Sequence, residues 1–279
     1  MRKFKYICTF VFLLTPTLFL GQLQGLTPLS NEVSESSGLA YDGKLLWTHN
    51  DSGNRDVLYA IDLENGEVIK KVFPPDTYNE DWEDLAIGDK GMVFISDTGN
   101  NDFSRKSLTI YGVLPDADDT QTVLTTTIEF PKNYTTKKGK IKYDVEALIY
   151  RDGSFYLFTK TFRNKFKDQT AVFEVLAQNG TQTARFCGTI PLCGKEKNCK
   201  ITAAAFHKES GQLALLSHKN LWLIPDFDPN ALDAITLERY EFEDDSQKEG
   251  LCFKNSQEVF ISEERNKGSQ WLYLLQLKE

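Results

Sequence analysis

The stretch D-W-E-D-L-A at residues 81–86 places three acidic side chains directly before a hydrophobic run typical of a buried β-strand. The same arrangement returns along the chain. Five segments align on the residue two before this leucine position: SGLAY (37–41), EDLAI (83–87), EALIY (146–150), TAAAF (202–206) and EGLCF (249–253). Their starts are separated by 46, 63, 56 and 47 residues. Recurrence at this spacing indicates a repeat architecture.

Each aligned segment is followed by a turn signal, namely DG, GDKG, RDG, HKESG or KNS, and then by a second apolar run. This second run carries a hydroxyl side chain at one recurring position: Thr48, Ser96, Thr159, Ser217 and Ser262. A third apolar run follows in every repeat, and a fourth follows in the first four repeats. The repeat unit is therefore predicted to be four antiparallel strands joined by hairpin turns.

Four-stranded units repeated around an axis describe a β-propeller. The five repeats predict five blades, and a six-bladed ring is the alternative because the interval of 63 residues leaves room for irregular strands. The last repeat ends after three strands, so the segment GLTPLSNEV (25–33) is expected to supply the fourth and remove an exposed sheet edge. We predict an all-β fold in which residues 22–279 form a single propeller domain.

The first 21 residues, MRKFKYICTFVFLLTPTLFLG, have a basic start, an apolar run and a small residue before Gln22. This is the pattern of a secretory signal peptide, with an uncleaved membrane anchor as the alternative. Removal of its three positive charges would change the formal net charge from −8 to −11. Such an acidic chain repels phosphate backbones, which disfavours nucleic acid and favours a cationic partner such as a metal ion.

Four of the five cysteines follow the predicted signal peptide. Cys193 and Cys199 bracket the lysine-rich loop CGKEKNC, and in an oxidising compartment this spacing predicts a disulfide. Cys252 lies in an apolar run and is predicted to be a buried thiol. A cysteine-ligated zinc site is disfavoured, because the chain has no C-x-x-C pair and three histidines.

The first strand of each blade lines the central channel of a propeller, so residues at the aligned first position should converge near the axis. Three of these five positions are glutamates: Glu83, Glu146 and Glu249. Carboxylates that meet in a low dielectric repel each other, and either proton uptake or a bound cation relieves the repulsion. Oxygen ligands without soft donors favour calcium. The alternative is that these glutamates only cap strand ends.

Further oxygen ligands are expected nearby. Asn50 and Asp51 follow the recurring hydroxyl position in the first repeat, and Asp97 follows it in the second. Asp81 and Asp144 each lie two residues before a glutamate, on the same strand face. The predicted metal ligands are Glu83, Glu146, Glu249, Asp97 and Asn50, with water or a bound molecule completing the shell.

Catalytic residues are not assigned by the sequence. His49 and His218 follow the recurring hydroxyl position and are candidates for general bases, although a satisfied polar residue is the commoner role. The chain has no nucleophile elbow, P-loop, Rossmann fingerprint or H-E-x-x-H motif. Trp82 is predicted to pack between blades, and covering the site is the alternative.

The segments ESSGLAYDG, THNDSGN, DWEDLAIGD, SDTGN, DVEALIY, KEGLCF and ISEE together resemble the SdiA-regulated family of bacterial secreted or periplasmic propellers. The resemblance implies five blades and a bound calcium ion, and it brings no established reaction. It assigns the family's recurring glutamates to Glu83, Glu146 and Glu249, and its S-E-E phrase to Glu263-Glu264. The chain departs from the family pattern at four positions: Ser37 and Thr202 replace an acid, and Asp84 and Ala147 replace glycine.

Two classes of function follow. The first, which we favour, is a calcium-binding propeller that acts as a scaffold or holds a small molecule or protein at its channel mouth. The second is a calcium-dependent hydrolase of the lactonase or esterase type. A phytase-like activity is less favoured, because Lys160 is the one cation among the residues that follow the recurring hydroxyl position. We expect a monomer, without a transmembrane segment in the mature chain, exported to the periplasm, the cell envelope or the surroundings of a bacterium.

Overall fold

The computed structural model describes residues 17–115, 120–161, 169–192, 199–265 and 268–278. Within these ranges the chain forms β-strands joined by turns and short 3-10 segments, and it contains no α-helix. The strands make five small sheets, each built on four antiparallel strands and arranged as a five-bladed β-propeller. The prediction of an all-β ring is confirmed, and the six-bladed alternative is wrong.

The N-terminal segment contains β1 (Thr17–Leu20) and β2 (Leu23–Pro28). Blade 1 consists of β3 (Ser36–Tyr41), β4 (Leu46–Asn50), β5 (Leu58–Ile61) and β6 (Val68–Val72). Blade 2 consists of β7 (Trp82–Ile87), β8 (Val93–Asp97), β9 (Leu108–Leu114) and β10 (Gln121–Glu129). Blade 3 consists of β11 (Val145–Arg151), β12 (Ser154–Thr159), β13 (Gln169–Leu176) and, after the short β14 (Gly180–Thr183), β15 (Arg185–Pro191).

Blade 4 consists of β16 (Ala203–His207), β17 (Gln212–Leu216), β18 (Asn220–Ile224) and β19 (Glu238–Glu241). Blade 5 consists of β20 (Lys248–Asn255), β21 (Glu258–Glu263), β22 (Trp271–Gln276) and the N-terminal β2. The five aligned segments of the sequence thus begin the innermost strands β3, β7, β11, β16 and β20.

The ring closes where β2 pairs antiparallel with β22, with Leu23 opposite Leu275. The predicted closure by an N-terminal strand is confirmed, although the strand ends at Pro28 and residues 31–33 form a 3-10 turn. Two further strands pair in parallel with outer edges, β14 with β10 and β1 with β19. Such pairing satisfies backbone groups that an open edge would expose.

Apolar side chains alternate between the two neighbours of each blade. On β11, Leu148 packs in the cluster shared with blade 2, whereas Ala147 and Ile149 pack in the cluster shared with blade 4. This follows from the two-residue period of a strand, which points successive side chains to opposite sheet faces. Trp82 is fully buried between blades 1 and 2, which confirms its predicted packing role.

The export and disulfide predictions are tested only in part. Strand β1 lies inside the predicted signal peptide, whose first 16 residues are outside the described ranges. A search of the described residues finds no helix long and apolar enough to cross a membrane. Cys199 is disulfide-bonded, but its predicted partner Cys193 lies outside the described residues. Cys252 is a buried free thiol, as predicted.

Candidate metal centre

The three recurring glutamates occupy irregular positions in the strand pairing. In each case the pairing register of the inner strand skips the glutamate: Glu83 between β7 and β8, Glu146 between β11 and β12, and Glu249 between β20 and β21. A β-bulge of this kind bends the strand and turns a side chain away from the regular alternation. The bulges therefore explain how the glutamate side chains point away from the apolar sheet faces and toward one end of the channel.

Five carboxylates form a cluster at this end, named here the axial carboxylate cluster. Oxygens of Asp51, Asp81 and Glu83 lie within 4.8 Å of one another, and so do oxygens of Glu83, Asp144 and Glu146. Glu83 belongs to both groups, and it is 5 % exposed. The members come from blade 1, from blade 2 and from the entry to blade 3. Local sequence therefore does not bring them together, whereas ring closure does.

The turn after β8 shapes one wall of the cluster. The Gly99 amide donates to the Asp81 carbonyl (3.0 Å), and the Asn100 amide donates to the Asp144 carboxylate (2.7 Å). A side chain at position 99 would place its Cβ 2.2 Å from Glu83 Oε1 and 2.3 Å from Asp81 Oδ2. Only glycine leaves this space to the carboxylates, which makes the turn part of the site.

Charge within the cluster is poorly balanced. Burial, followed by the nearby Glu146 and Asp51, raises the pKa of Glu83 well above its ordinary value. Burial is also the main cause that raises the pKa of Asp51 and of Asp81 to about 6. Both effects penalise the ionised form, so the cluster binds protons or a cation more readily than solvated carboxylates do.

Among the described residues, one lysine contacts the cluster. Lys160 Nζ lies 2.6 Å from Glu146 Oε1 and 3.8 Å from Asp144 Oδ2. Burial lowers the pKa of Lys160, but the charges of Glu146 and Asp144 outweigh it and hold the pKa above its ordinary value. The pKa of Glu146 is itself raised by burial and by Asp144, against the opposing effect of Lys160. The ammonium group of Lys160 by itself therefore does not neutralise the five carboxylates.

The donor set fits a hard divalent cation. Both groups of converging atoms consist of carboxylate oxygens, without a histidine or cysteine among them. Oxygen-only coordination is the preference of calcium, which takes 6–8 such ligands and tolerates irregular geometry. The space kept open at Gly99 lies beside two of the donors. The residues present therefore suit calcium better than zinc or copper.

The structure places the five predicted ligands unequally. Glu83 and Glu146 lie together in the cluster. Asp97 pairs with Arg105 (2.9 Å) and accepts the Asp81 amide (2.8 Å). These contacts make it a support for the turn after β8, and its role as a ligand stays a prediction.

Asn50 and Glu249 are also engaged elsewhere. The Asn50 side chain accepts the Glu35 amide (3.2 Å) and donates to the Glu32 carbonyl (2.8 Å). Glu249 Oε1 lies 3.3 Å from His218 Nε2, and although burial opposes this, the histidine holds the pKa of Glu249 below its ordinary value. Both residues stay predictions as ligands. The cluster instead gains Asp51, Asp81 and Asp144. The sequence marks Asp51 by its place after the recurring hydroxyl position, and it marks the other two by their spacing before a glutamate.

In the two blades where a hydroxyl residue replaces the aligned glutamate, the hydroxyl forms a hydrogen bond to the neighbouring blade. Ser37 donates to the backbone carbonyl of Glu83 on the next blade (2.8 Å), and Thr202 donates to the carbonyl of Lys248 (2.8 Å). In these two blades the aligned position therefore ties neighbouring blades together and does not add charge to the cluster.

Asp84 occupies the interior of the channel. Its Oδ1 accepts the amide of Leu85 (2.8 Å), and its Oδ2 accepts the amides of Leu148 (2.9 Å) and Ala204 (3.1 Å). These three donors belong to blades 2, 3 and 4, whose inner strands have a free edge toward the axis. Burial raises the pKa of Asp84, and the three amide bonds oppose this effect. In the sequence, Asp84 stands out only as one of the three acids of D-W-E-D-L-A and as a departure from glycine.

The two candidate bases have different surroundings. His49 is fully buried, its ring lies edge-on to Trp82 at 5.5 Å, and burial lowers its pKa to about 4. It is therefore neutral at pH 7 and part of the packing between blades 1 and 2. His218 is partly exposed and contacts Glu249.

The fold and the cluster together define a five-bladed β-propeller with an acidic site at one end of its channel. No family model matches the chain, and no curated protein matches it. The motif resemblance to the SdiA-regulated family is therefore not confirmed by these comparisons.

Solved structures do match. The PQQ-bound aldose sugar dehydrogenase of Streptomyces coelicolor is 11 % identical, with 92 % of this chain and 98 % of that chain covered and a TM-score of 0.53. The major Malassezia sympodialis allergen Mala s 1 is 8 % identical, with 89 % and 94 % covered and a TM-score of 0.56. A gluconolactonase of Xanthomonas campestris is 10 % identical, with 91 % and 90 % covered and a TM-score of 0.47. At these identities the first two likenesses show a shared fold and carry no activity.

Proposed function

We propose that the chain is a calcium-binding β-propeller that serves as a scaffold or holds a ligand at its channel mouth. The observation that carries this proposal is the position of Glu83, whose oxygens converge with two separate pairs of carboxylates within 4.8 Å. Like charges at this separation repel by about 3 kcal/mol per pair at an effective dielectric of about 20. A divalent cation offsets that repulsion and ties blades 1, 2 and 3 together through their own side chains.

The setting of the protein belongs to the same proposal. The signal-peptide pattern of residues 1–21 and the motifs shared with the SdiA-regulated family support an exported bacterial propeller formed by residues 22–279. The acidic net charge supports a cationic ligand over nucleic acid. Calcium is abundant outside the cytoplasm, where sites of moderate affinity fill without a dedicated carrier.

Thermal unfolding of the exported protein in EDTA, calcium or magnesium tests the proposal. Calcium at about 100 times its dissociation constant should add about 2.7 kcal/mol to the free energy of unfolding, a rise of about 5–10 °C in the unfolding temperature. Glu83→Gln and Glu146→Gln should abolish the rise. Glu64→Gln, an exposed matched change in the β5–β6 turn, should leave it intact. Equal unfolding temperatures with calcium and EDTA would refute a calcium site.

A second candidate function is calcium-dependent hydrolysis of an ester or lactone. The observation in its favour is the His218–Glu249 pair, whose carboxylate interacts electrostatically with Asp51 of the cluster. A bound cation would supply polarisation of a carbonyl. His218 can accept a proton from water while Glu249 orients its ring. Loss of p-nitrophenyl acetate hydrolysis both in EDTA and in His218→Gln would favour this function, and absence of any turnover in the parent protein would exclude it for that ester.

A further inference from the structure

The channel has a second opening, at the end opposite to the axial carboxylate cluster. A cavity of about 490 Å³ opens there. It is lined by the final residues of the five inner strands and the turns after them, in ranges 39–41, 85–90, 148–152, 204–209 and 251–254. The cluster glutamates stand at the beginnings of these strands. The cavity, named here the distal pocket, is therefore a separate site, and its volume falls in the range of about 300–1,000 Å³ typical of small-molecule sites.

The channel interior between the two ends is occupied by Asp84. Its carboxylate binds amides of Leu85, Leu148 and Ala204, and these three residues also line the distal pocket. Asp84 therefore lies between the pocket and the cluster. A molecule in the distal pocket meets apolar side chains and inner strand edges whose amides are already bound to Asp84. It does not contact the cluster carboxylates.

Aromatic rings form the walls of the distal pocket. Tyr41, Tyr150 and Phe206 are partly exposed, although each lies within one residue of the end of an inner strand and directly follows a buried aliphatic residue. The Arg151 guanidinium lies over the Phe206 ring at 5.4 Å, and Phe253 completes the wall on blade 5. These partly exposed rings offer apolar contact area that the fold itself leaves uncovered.

The rim of the distal pocket carries four cations, Lys90, Arg151, Lys208 and Lys254, and three acids, Asp89, Asp152 and Glu209. Asp89 is paired with Lys208 across the mouth (2.9 Å) and accepts the Tyr150 hydroxyl (3.2 Å). Asp152 is paired with Arg151 (3.2 Å). Both ion pairs include exposed partners. Each pair therefore contributes little to the free energy of folding, and its cation can readily pair with another anion.

Two further lysines stand at the rim. Among the described residues, Lys90 forms no ion pair, and Lys254 pairs with Glu258 outside the pocket lining (3.0 Å). The third acid of the rim, Glu209, lies 3.5 Å from His207 Nε2. Asp89 and Asp152 are thus matched by cations, Glu209 stands beside a histidine, and the ammonium group of Lys90 is left for an incoming anion.

We propose that the distal pocket binds a small amphipathic organic anion, with its carboxylate or sulfonate head at Lys90 and Lys208 and its apolar body among the aromatic rings. The apolar walls favour a hydrophobic body, and Lys90, which forms no ion pair among the described residues, together with the exposed Lys208, favours a negative head. The acidic cluster at the other end of the channel would repel the same molecule. The two ends of the channel therefore select ligands of opposite charge.

The test uses two fluorescent probes that share a naphthylamine ring: the anion 1-anilinonaphthalene-8-sulfonate and the uncharged N-phenyl-1-naphthylamine. The anion should bind the folded protein saturably at one site, more tightly than the uncharged probe, and octanoate or benzoate should displace it. Lys90→Glu should weaken binding of the anion about fivefold and leave the uncharged probe unchanged.

Two controls separate this site from others. Lys138→Glu makes the same charge change at an exposed position outside the pocket and should leave binding unchanged. Glu146→Gln alters the carboxylate cluster and should also leave it unchanged, so failure of the calcium site does not affect this result. Circular dichroism in the near ultraviolet confirms that each variant is folded, with Lys90→Gln as the milder replacement. Equal affinity for both probes, or equal effects of Lys90→Glu and Lys138→Glu, would overturn the proposal.

Discussion

Asp84 gives the sharpest test of how the ring is held together. Its carboxylate accepts amides from blades 2, 3 and 4 at 2.8, 2.9 and 3.1 Å, and its side chain is fully buried. A buried amide left without an acceptor costs about 1–3 kcal/mol. Asp84→Ala removes the acceptor for all three, and water that enters the vacated space offsets part of the loss. We expect the free energy of unfolding to fall by about 4 kcal/mol.

Asp84→Asn keeps the shape of the side chain but replaces one of its two acceptor oxygens with an amino group. The asparagine oxygen can still accept the amides of Leu148 and Ala204, but its amino group then faces the amide of Leu85. One donor loses its partner, and the bonds to a charged acceptor become bonds to a neutral one. The expected loss is about 2 kcal/mol, about half of the loss for alanine.

Urea unfolding at pH 7, with EDTA and again with calcium, measures both variants. Asp89→Asn makes the same chemical change at an exposed aspartate and should alter the free energy of unfolding by less than about 0.5 kcal/mol. The reasoning is refuted if Asp84→Asn is as stable as the parent protein, because the three amides would then not depend on the carboxylate. It is also refuted if asparagine is more damaging than alanine.

Three further predictions concern the carboxylate cluster and the Asp97–Arg105 pair that supports the turn beside it. In EDTA the unfolding temperature should rise as the pH falls from about 7 to about 5, because two cluster aspartates with a native pKa of about 6 bind protons before the unfolded chain does; a flat profile contradicts this. Gly99→Ala should abolish the calcium-dependent rise in unfolding temperature, since its Cβ would lie 2.2 Å from Glu83 Oε1, whereas Gly25→Ala should preserve it. Arg105→Gln should cost about 3 kcal/mol in urea unfolding by leaving buried Asp97 unpaired, and adding Asp97→Asn should recover most of the loss; full additivity would contradict the pairing.

Most of the fold could be predicted because propeller blades are local structures. Each blade is a run of hairpins, so turn signals and apolar runs in the sequence mark its strands directly. The closing strand could be predicted from the number of strands in each repeat, because the last repeat lacked its fourth strand. Strands β1 and β14 could not be predicted, because they pair in parallel with edges far from them in sequence. Nothing in their local pattern records which edge they join.

The site could be predicted less completely, for a physical reason. Alignment of the repeats predicted that the strand starts converge, and the structure brings Glu83 and Glu146 together as expected. The alignment could not show that Asp97 would form an ion pair with Arg105, which lies eight residues later in the chain. It marked Asp144 only by its spacing two residues before Glu146, and it could not show that the Asp144 carboxylate would accept an amide of the turn after β8. Side-chain partners across blades depend on rotamers and turn geometry that repeat spacing does not encode.

The axial contacts indicate that a cation would strengthen the ring without being needed to form it. Hydrogen bonds link neighbouring blades near the axis apart from the cluster, including Ser37 to the Glu83 carbonyl, Thr98 to the Val145 carbonyl (2.8 Å) and Ser36 to Ser262 (3.0 Å). Asp84 adds a link among blades 2, 3 and 4. The cluster, by contrast, joins only blades 1, 2 and 3. Removal of a cation would therefore raise repulsion on one side of the ring, while the apolar clusters between all five blades keep the propeller closed.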